Sequence, residues 1–239
     1  MRILAGTSGW SFKEWKGSFY PKGHPDDAML TYYASRFPAV EVNNTFYRMP
    51  KEKVMLEWGE QVPPSFRFAI KASQRITHKS RLVDAGSDLE YFMRVCSALG
   101  ERRGPSLFQL PPNMKKDLPR LEAFLQLIPR RWQATFEFRH PTWFDDSVYE
   151  ALKAHDCALC LAEQDDFETP TVATASWGYV RLHKTAYEQA ALAAQAARIR
   201  AQPWQETFVF FKHDGDQAGP TAVDGFLREV QTRDVRRET

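Results

Sequence analysis

Arg181 and His183 stand two apart in residues 179–183, and the same spacing recurs at Glu41 and Asn43, at Glu137 and Arg139, and at Leu161 and Glu163. Lys71, Gln109 and Lys212 fall near the ends of similar short segments. Because strand side chains alternate between faces, each segment sends its ionisable residues one way and its Val, Phe and Leu the other. An unpaired buried charge is costly, so ions set at this density on strands are expected to pair with one another or to bind something. Glu41, Glu137 and Glu163 face Lys71, Arg139, Arg181 and Lys212 on the expected lumen side, with His183 titratable. That excess of cations suits an anionic ligand gripped by forked Arg donors, and it suits a divalent metal poorly because Lys and Arg compete with the ion. No metal and no cofactor is therefore expected.

The chemistry such a set supports is proton transfer around a bound anion. Arg139 and Arg181 are the expected clamp, Glu137 and His183 the acid–base pair, and Asn43, Tyr47 and Gln109 the orienting groups, with Glu41 and Lys71 completing the catalytic candidates. His183 is the one histidine expected inside the mouth, and flanking Arg181 and Lys184 disfavour its imidazolium. Lys71 and Lys212 have an alternative role as amine nucleophiles, their proton affinity lowered by neighbouring cations. Internal ion pairing, Glu137 with Arg139 or Arg181 for instance, is the competing role for each residue alone. Two loops are dense in rings: Trp10, Phe12, Trp15, Phe19 and Tyr20 follow the first segment, and residues 43–48 follow the second. Such rings either stack on a sugar or base or plug the top of the fold. Trp10, Tyr20, Arg48, Trp143 and Lys212 complete the candidate binding set. Residues 213–220 hold Gly215 and Gly219 ahead of a helix, where barrels often bind phosphate, although Asp214 and Asp216 oppose an anion there.

Positioning these residues requires strands that end at a common rim. β-branched and aromatic runs at 3–7, 40–43, 67–71, 106–110, 134–139, 158–163, 178–183 and 207–212 predict eight strands. Apolar residues at three- and four-residue spacing predict helices over 27–37, 51–60, 88–100, 118–128, 145–155, 187–201 and 223–230. Residues 164–176 carry no such stripe and read as a long loop. Strict alternation of this kind implies parallel strands and right-handed crossovers. Eight units over residues 1–239, without an internal linker, fit an α/β fold, a single (β/α)8 barrel of the TIM type. The chain has neither G-x-G-x-x-G nor a Walker loop, which removes the usual support for an open nucleotide-binding sheet.

Bulk properties set outer bounds. A formal charge of +2 and a pI near 8.4 are too mild for a dedicated nucleic-acid binder. The N-terminus runs straight into Thr7 and Ser8, and no stretch of about 18 apolar residues occurs, so the chain reads as cytoplasmic with no membrane partner. Cys96, Cys157 and Cys160 are an odd set suited to a reducing compartment, and the last two, three apart around a strand, point to opposite faces. Buried structural thiols are expected. The oligomeric state is not readable.

Gly-Thr-Ser-Gly-Trp at 6–10, Phe-Tyr-Pro at 19–21 and Val-Glu-Val-Asn-Asn-Thr-Phe-Tyr-Arg at 40–48 resemble the YecE-like family, domain of unknown function 72. Phe-Gln-Leu-Pro-Pro at 108–112, Glu-Phe-Arg-His at 137–140 followed by Trp143, and Tyr-Val-Arg-Leu-His at 179–183 continue the resemblance in order. It implies a TIM-type barrel with these motifs at its C-terminal mouth, and it implies no reaction. The chain departs from the family pattern where Lys184 replaces the usual Gly and where Phe-Lys-His-Asp at 211–214 replaces Phe-Asn-Asn-Asp. Three functions compete. The leading one is an acid–base enzyme of isomerase, lyase or hydrolase type, acting without a metal on a small anionic, sugar-like substrate. The others are a nucleic-acid-binding barrel resembling endonuclease IV and a non-catalytic sensor of small molecules.

Overall fold

The computed structural model describes residues 1–212 and 218–235. Among them, eight parallel strands form a TIM-type α/β barrel: β1 (Arg2–Thr7), β2 (Ala39–Val42), β3 (Arg67–Lys71), β4 (Arg103–Gln109), β5 (Ala134–Glu137), β6 (Ala158–Glu163), β7 (Gly178–Leu182) and β8 (Glu206–Phe211). The helices are α1 (Met29–Arg36), α2 (Glu52–Glu60), α3 (Gly86–Ser97), α4 (Leu118–Leu125), α5 (Asp146–Ala154), α6 (Gln189–Arg200) and α7 (Ala218–Val235). Each expected strand is present, and the last helix starts earlier than expected, with Pro220 in a first turn that needs no N–H from it.

Helix faces follow the apolar spacing. In α3, Leu89, Phe92, Val95 and Cys96 are buried. Two helices begin on side-chain caps, Asp117 accepting from the Arg120 N–H and Asp145 from that of Ser147. Residues 164–177 carry no helix. Their threonines instead satisfy β6: Thr174 accepts from the Leu159 N–H at 2.7 Å and donates to the Cys157 carbonyl, and Thr169 accepts from the Ala162 N–H.

The barrel interior is packed unevenly. Trp177, Tyr179, Phe208 and Phe210 on and beside β7 and β8 fill it against Ala39, Ala69, Ala158, Cys160 and Ala162, so large rings meet small side chains. Cys157 lies in the helix-side core and Cys160 in the lumen. All three thiols are free and buried. Burial pushes that of Cys157 up to about 12, so it is chemically inert near neutral pH.

Backbone ladders join β2 through β8 and β8 to β1. Where β1 meets β2, Tyr33 of α1 makes the link: its hydroxyl accepts from the Thr7 N–H at 2.7 Å and donates to the Ala39 carbonyl at 3.2 Å. The two strands approach so closely there that a Cβ on Gly6 would sit 1.8 Å from the Ala39 oxygen. The seam sets the distance between Ser8, which follows β1, and Glu41 on β2.

Candidate active site at the barrel mouth

Glu41 is fully buried and accepts five hydrogen bonds. Arg181 grips it with two nitrogens, Nη2 to Oε1 at 2.9 Å and Nε to Oε2 at 3.0 Å. Tyr179 donates its hydroxyl to Oε2 at 2.7 Å, while Ser8 Oγ and Asn43 Nδ2 donate to Oε1 at 2.8 and 2.9 Å. The third Arg181 nitrogen, Nη1, reaches Glu137 Oε2 at 2.5 Å. Glu137 Oε1 accepts from Gln109 Nε2 at 2.7 Å and Arg139 Nε at 3.1 Å. Lys71 Nζ then donates to Gln109 Oε1 at 2.8 Å. Register explains the chain of contacts: Gln109 stands directly opposite Glu137, and Lys71 is paired with Leu107, two residues before Gln109 on the same face.

Burial is the largest influence and would raise both carboxyl groups, but Arg181, the neighbouring side chains and the hydrogen bonds donated to them together hold each at about 2. His183 goes the other way. Burial, then Arg181, lowers its imidazole to about 3, so it is neutral near pH 7. Its Nε2 lies 3.2 Å from Ser8 Oγ. Since Ser8 gives its proton to the ionised Glu41, Nε2 carries the hydrogen and Nδ1 is the acceptor atom. Lys71 is lowered to about 8 by burial and by Arg181, against weaker opposition from Glu137 and Glu41. Two carboxylates against Lys71, Arg139 and Arg181 leave the network one positive charge in excess.

These shifts fix an acid limb of stability. A histidine depressed to about 3 stabilises the fold fully above its ordinary value of 6.5 and loses that contribution as pH falls toward 3. The carboxylates add a second loss as pH falls from 4.5 toward 2. Chemical denaturation from pH 8 to 3.5 is therefore expected to show stability falling already below pH 6.5. His183→Gln should flatten the limb between 6.5 and 4.5 and leave the lower one; an unchanged upper limb would show that His183 is not the group responsible.

The structure relocates several expected residues. Glu163 does not face the lumen: it turns to the helix side, accepting from Lys184 Nζ, Tyr187 OH and Gln195 Nε2. The inward positions of β6 are Ala158, Cys160 and Ala162, which leave room for the rings opposite. Arg181, expected to clamp a ligand, is 5% exposed and spends Nε, Nη1 and Nη2 on carboxylates. Tyr20 is buried with its hydroxyl on the Trp10 carbonyl. Trp143 is buried too, stacked on Phe138 at 4.7 Å with its indole N–H on the Met114 carbonyl, so both rings are packing.

Other expected residues stay at the rim. Trp10 packs edge-on to Trp58 at 5.1 Å and, with Ser8, Phe12, Asn43, Asn44 and Tyr47, lines a cavity of about 310 Å³. Tyr47 is 75% exposed and Arg48 is exposed beside it. Lys212 is half-buried, close enough to His183 to disfavour its imidazolium. Residues 213–217, including Gly215, Asp214 and Asp216, lie outside the described residues. Arg139 keeps a different kind of freedom: its side chain is 35% exposed, and among the described residues only Nε is bonded.

Four participants were not expected. Ser8 and Tyr179 belong to the Glu41 cluster, and His78 and Arg81 come from the loop after β3. His78 meets the Phe46 ring at 4.8 Å and is lowered by burial, then by Lys71, Arg139 and Arg81, which places it among three cations. That loop contains a π-helical turn (Arg75–Lys79) and left-handed backbone at Arg81, Leu82 and Asp84, none of them glycine. Both features concentrate at functional sites. Among the described residues, no three His, Cys, Asp or Glu side chains gather to hold a metal ion.

A parallel barrel with a buried ion network gathered at the C-terminal ends of the strands defines a TIM-type barrel protein whose candidate site lies where that fold usually builds one. The chain belongs to the family described as Protein of unknown function DUF72, which matches residues 4–239. It is similar to the UPF0759 protein YecE of Escherichia coli strain K12, 33% identical over 143 residues that cover 59% of this chain and 50% of that protein. The UPF0759 protein YunF of Bacillus subtilis is 28% identical over 159 residues, covering 62% and 54%. The chain thus spans about half the length of these curated relatives. A DUF72 family protein from Thermotoga maritima shares the fold with a TM-score of 0.86 at 24% identity, covering 97% of this chain and 100% of that one. One from Enterococcus faecalis gives 0.80 at 16%, covering 96% and 95%. No helix among the described residues is long and apolar enough to cross a membrane.

Proposed function

We propose that this protein is an enzyme acting on a small anionic, sugar-like substrate at the C-terminal mouth of the barrel. The observation that carries this reading is the unspent fork of Arg139: among the described residues its Nη nitrogens have no acceptor, while the network beneath holds one positive charge in excess. Glu137, pinned by Arg181, Arg139 and Gln109 and held near 2, is a poor proton acceptor at neutral pH. Its role becomes positional: it aims Arg139. Proton transfer passes to Lys71, near 8, whose affinity matches neutral pH, with neutral His183 as a hydrogen-bonding partner. The cavity beside Ser8, Asn43 and Tyr47 takes the remainder of the substrate.

Arg139→Ala is expected to weaken phosphate and sulfate binding by roughly 10–100-fold, the worth of one or two charged hydrogen bonds. Thermal shift against phosphate concentration reads this, and equal shifts in wild type and variant would remove Arg139 from the site. The exposed pair Tyr47 and Arg48 on the β2–α2 loop favours a second reading, a nucleic-acid strand over the mouth. Salt-sensitive oligonucleotide binding without any response to free phosphate would select it.

A further inference from the structure

We infer that Lys71 is an imine-forming amine, so that the substrates of this mouth are small anionic aldehydes or ketones attached covalently through Nζ. The inference rests on the anion-binding reading and narrows its substrate class. Lys71 ends β3, half-buried, with Nζ on the Gln109 side-chain carbonyl at 2.8 Å and 4.4 Å from the centre of the Phe46 ring. Both partners are uncharged. Among the described residues no carboxylate lies within ion-pair distance of Nζ, because Glu137 is taken up by Arg181, Arg139 and Gln109. Gln109 has no choice of orientation: its amide N–H₂ serves Glu137 at 2.7 Å, so its oxygen must face Lys71. A neutral acceptor held this way suits an ammonium, a neutral amine and an iminium N–H alike, and it locks none of them.

A buried lysine paired with a carboxylate is kept as ammonium, whereas Lys71 sits beside the guanidinium groups of Arg181 and Arg139, which add to burial in disfavouring its proton. With its pKa near 8, roughly a tenth of such an amine is neutral at pH 7, against well under a thousandth for an exposed lysine. In the step itself, the amine lone pair forms a C–N bond to the carbonyl carbon while the C–O π pair moves to oxygen. The carbinolamine oxygen collects two protons, matching the two that the nitrogen gives up, and leaves as water. The resulting imine takes one proton from solvent and becomes an iminium. One water is released and nothing is oxidised. The iminium then draws electrons from a neighbouring C–H or C–C bond, which directs the site toward aldol-type, dehydration or isomerisation chemistry on a substrate whose anion sits on Arg139.

Full-length protein incubated at pH 7 with pyruvate or glyoxylate and sodium cyanoborohydride tests this by intact mass and peptide mapping. The expected result is one reduced adduct on Lys71, formed about tenfold or more faster than on exposed lysines, slowed by added phosphate and absent in Lys71→Arg. Calorimetric binding of pyruvate and of phosphate without reductant is measured in parallel. Binding with no adduct at Lys71, or with adducts spread evenly over surface lysines, overturns the imine and leaves the anion site standing. Absence of binding by either anion overturns both.

Discussion

Arg181→Met should lower stability by about 3–5 kcal/mol, because it strands two buried carboxylates that share one guanidinium. At about 2–4 °C per kcal/mol for a domain of this size, the melting temperature falls by roughly 10 °C. The pH profile separates this from an ordinary packing defect. Without Arg181 the Glu41 and Glu137 carboxyl groups rise above their unfolded values, so the stability they contribute is present below about 4.5 and lost as pH climbs. The variant should therefore lose most at pH 7.5 and recover toward pH 5, which a simple cavity would not do. Adding Glu41→Gln should restore part of the loss, since it removes the carboxylate whose other bonded partners among the described residues, Tyr179, Ser8 and Asn43, are uncharged. A pH-independent loss below about 1 kcal/mol, the range of an exposed pair, would mean that the network is not a buried unit.

Gly6→Ala should be more damaging still. Its Cβ would stand 1.8 Å from the Ala39 oxygen and 2.8 Å from the Ala39 carbonyl carbon, both backbone atoms that no rotamer change can move aside. Relief requires β1 and β2 to part, which breaks the Tyr33 bridge between Thr7 and Ala39 and pulls Ser8 away from Glu41. Side-chain overpacking costs about 1–3 kcal/mol. A backbone collision at a barrel seam belongs beyond about 4 kcal/mol, among the exceptional losses. The variant is expected to be largely insoluble or to unfold tens of degrees early. A melting temperature within a few degrees of wild type would show that the seam is looser than described.

Period-two spacing makes most of the candidate site legible in the sequence. Glu41 with Asn43, Glu137 with Arg139, and Arg181 with His183 do share one face, and Lys71 and Gln109 meet them. The same rule misplaced Glu163, because on β6 the polar residue keeps phase with outward Leu161 while small Ala and Cys residues take the lumen. Spacing also gives direction without purpose. It could not tell that Arg181 would be consumed by two carboxylates while Arg139 kept its fork, since that depends on which strands are opposite in the ring. Ser8 and Tyr179 were recoverable in principle, lying two residues beyond Gly6 and two before Arg181. His78 carried no pattern: a π-helical turn and three left-handed residues bring it beside Phe46, and neither has a sequence period.

Anomalous diffraction from crystals soaked in selenate, a heavy stand-in for sulfate and phosphate, asks the deciding question in one map. A peak within hydrogen-bond reach of the Arg139 Nη atoms and Lys71 Nζ, lost in Arg139→Ala crystals, is the expected outcome. Selenate found only at other surfaces, with those nitrogens unvisited, would contradict an anion-binding mouth.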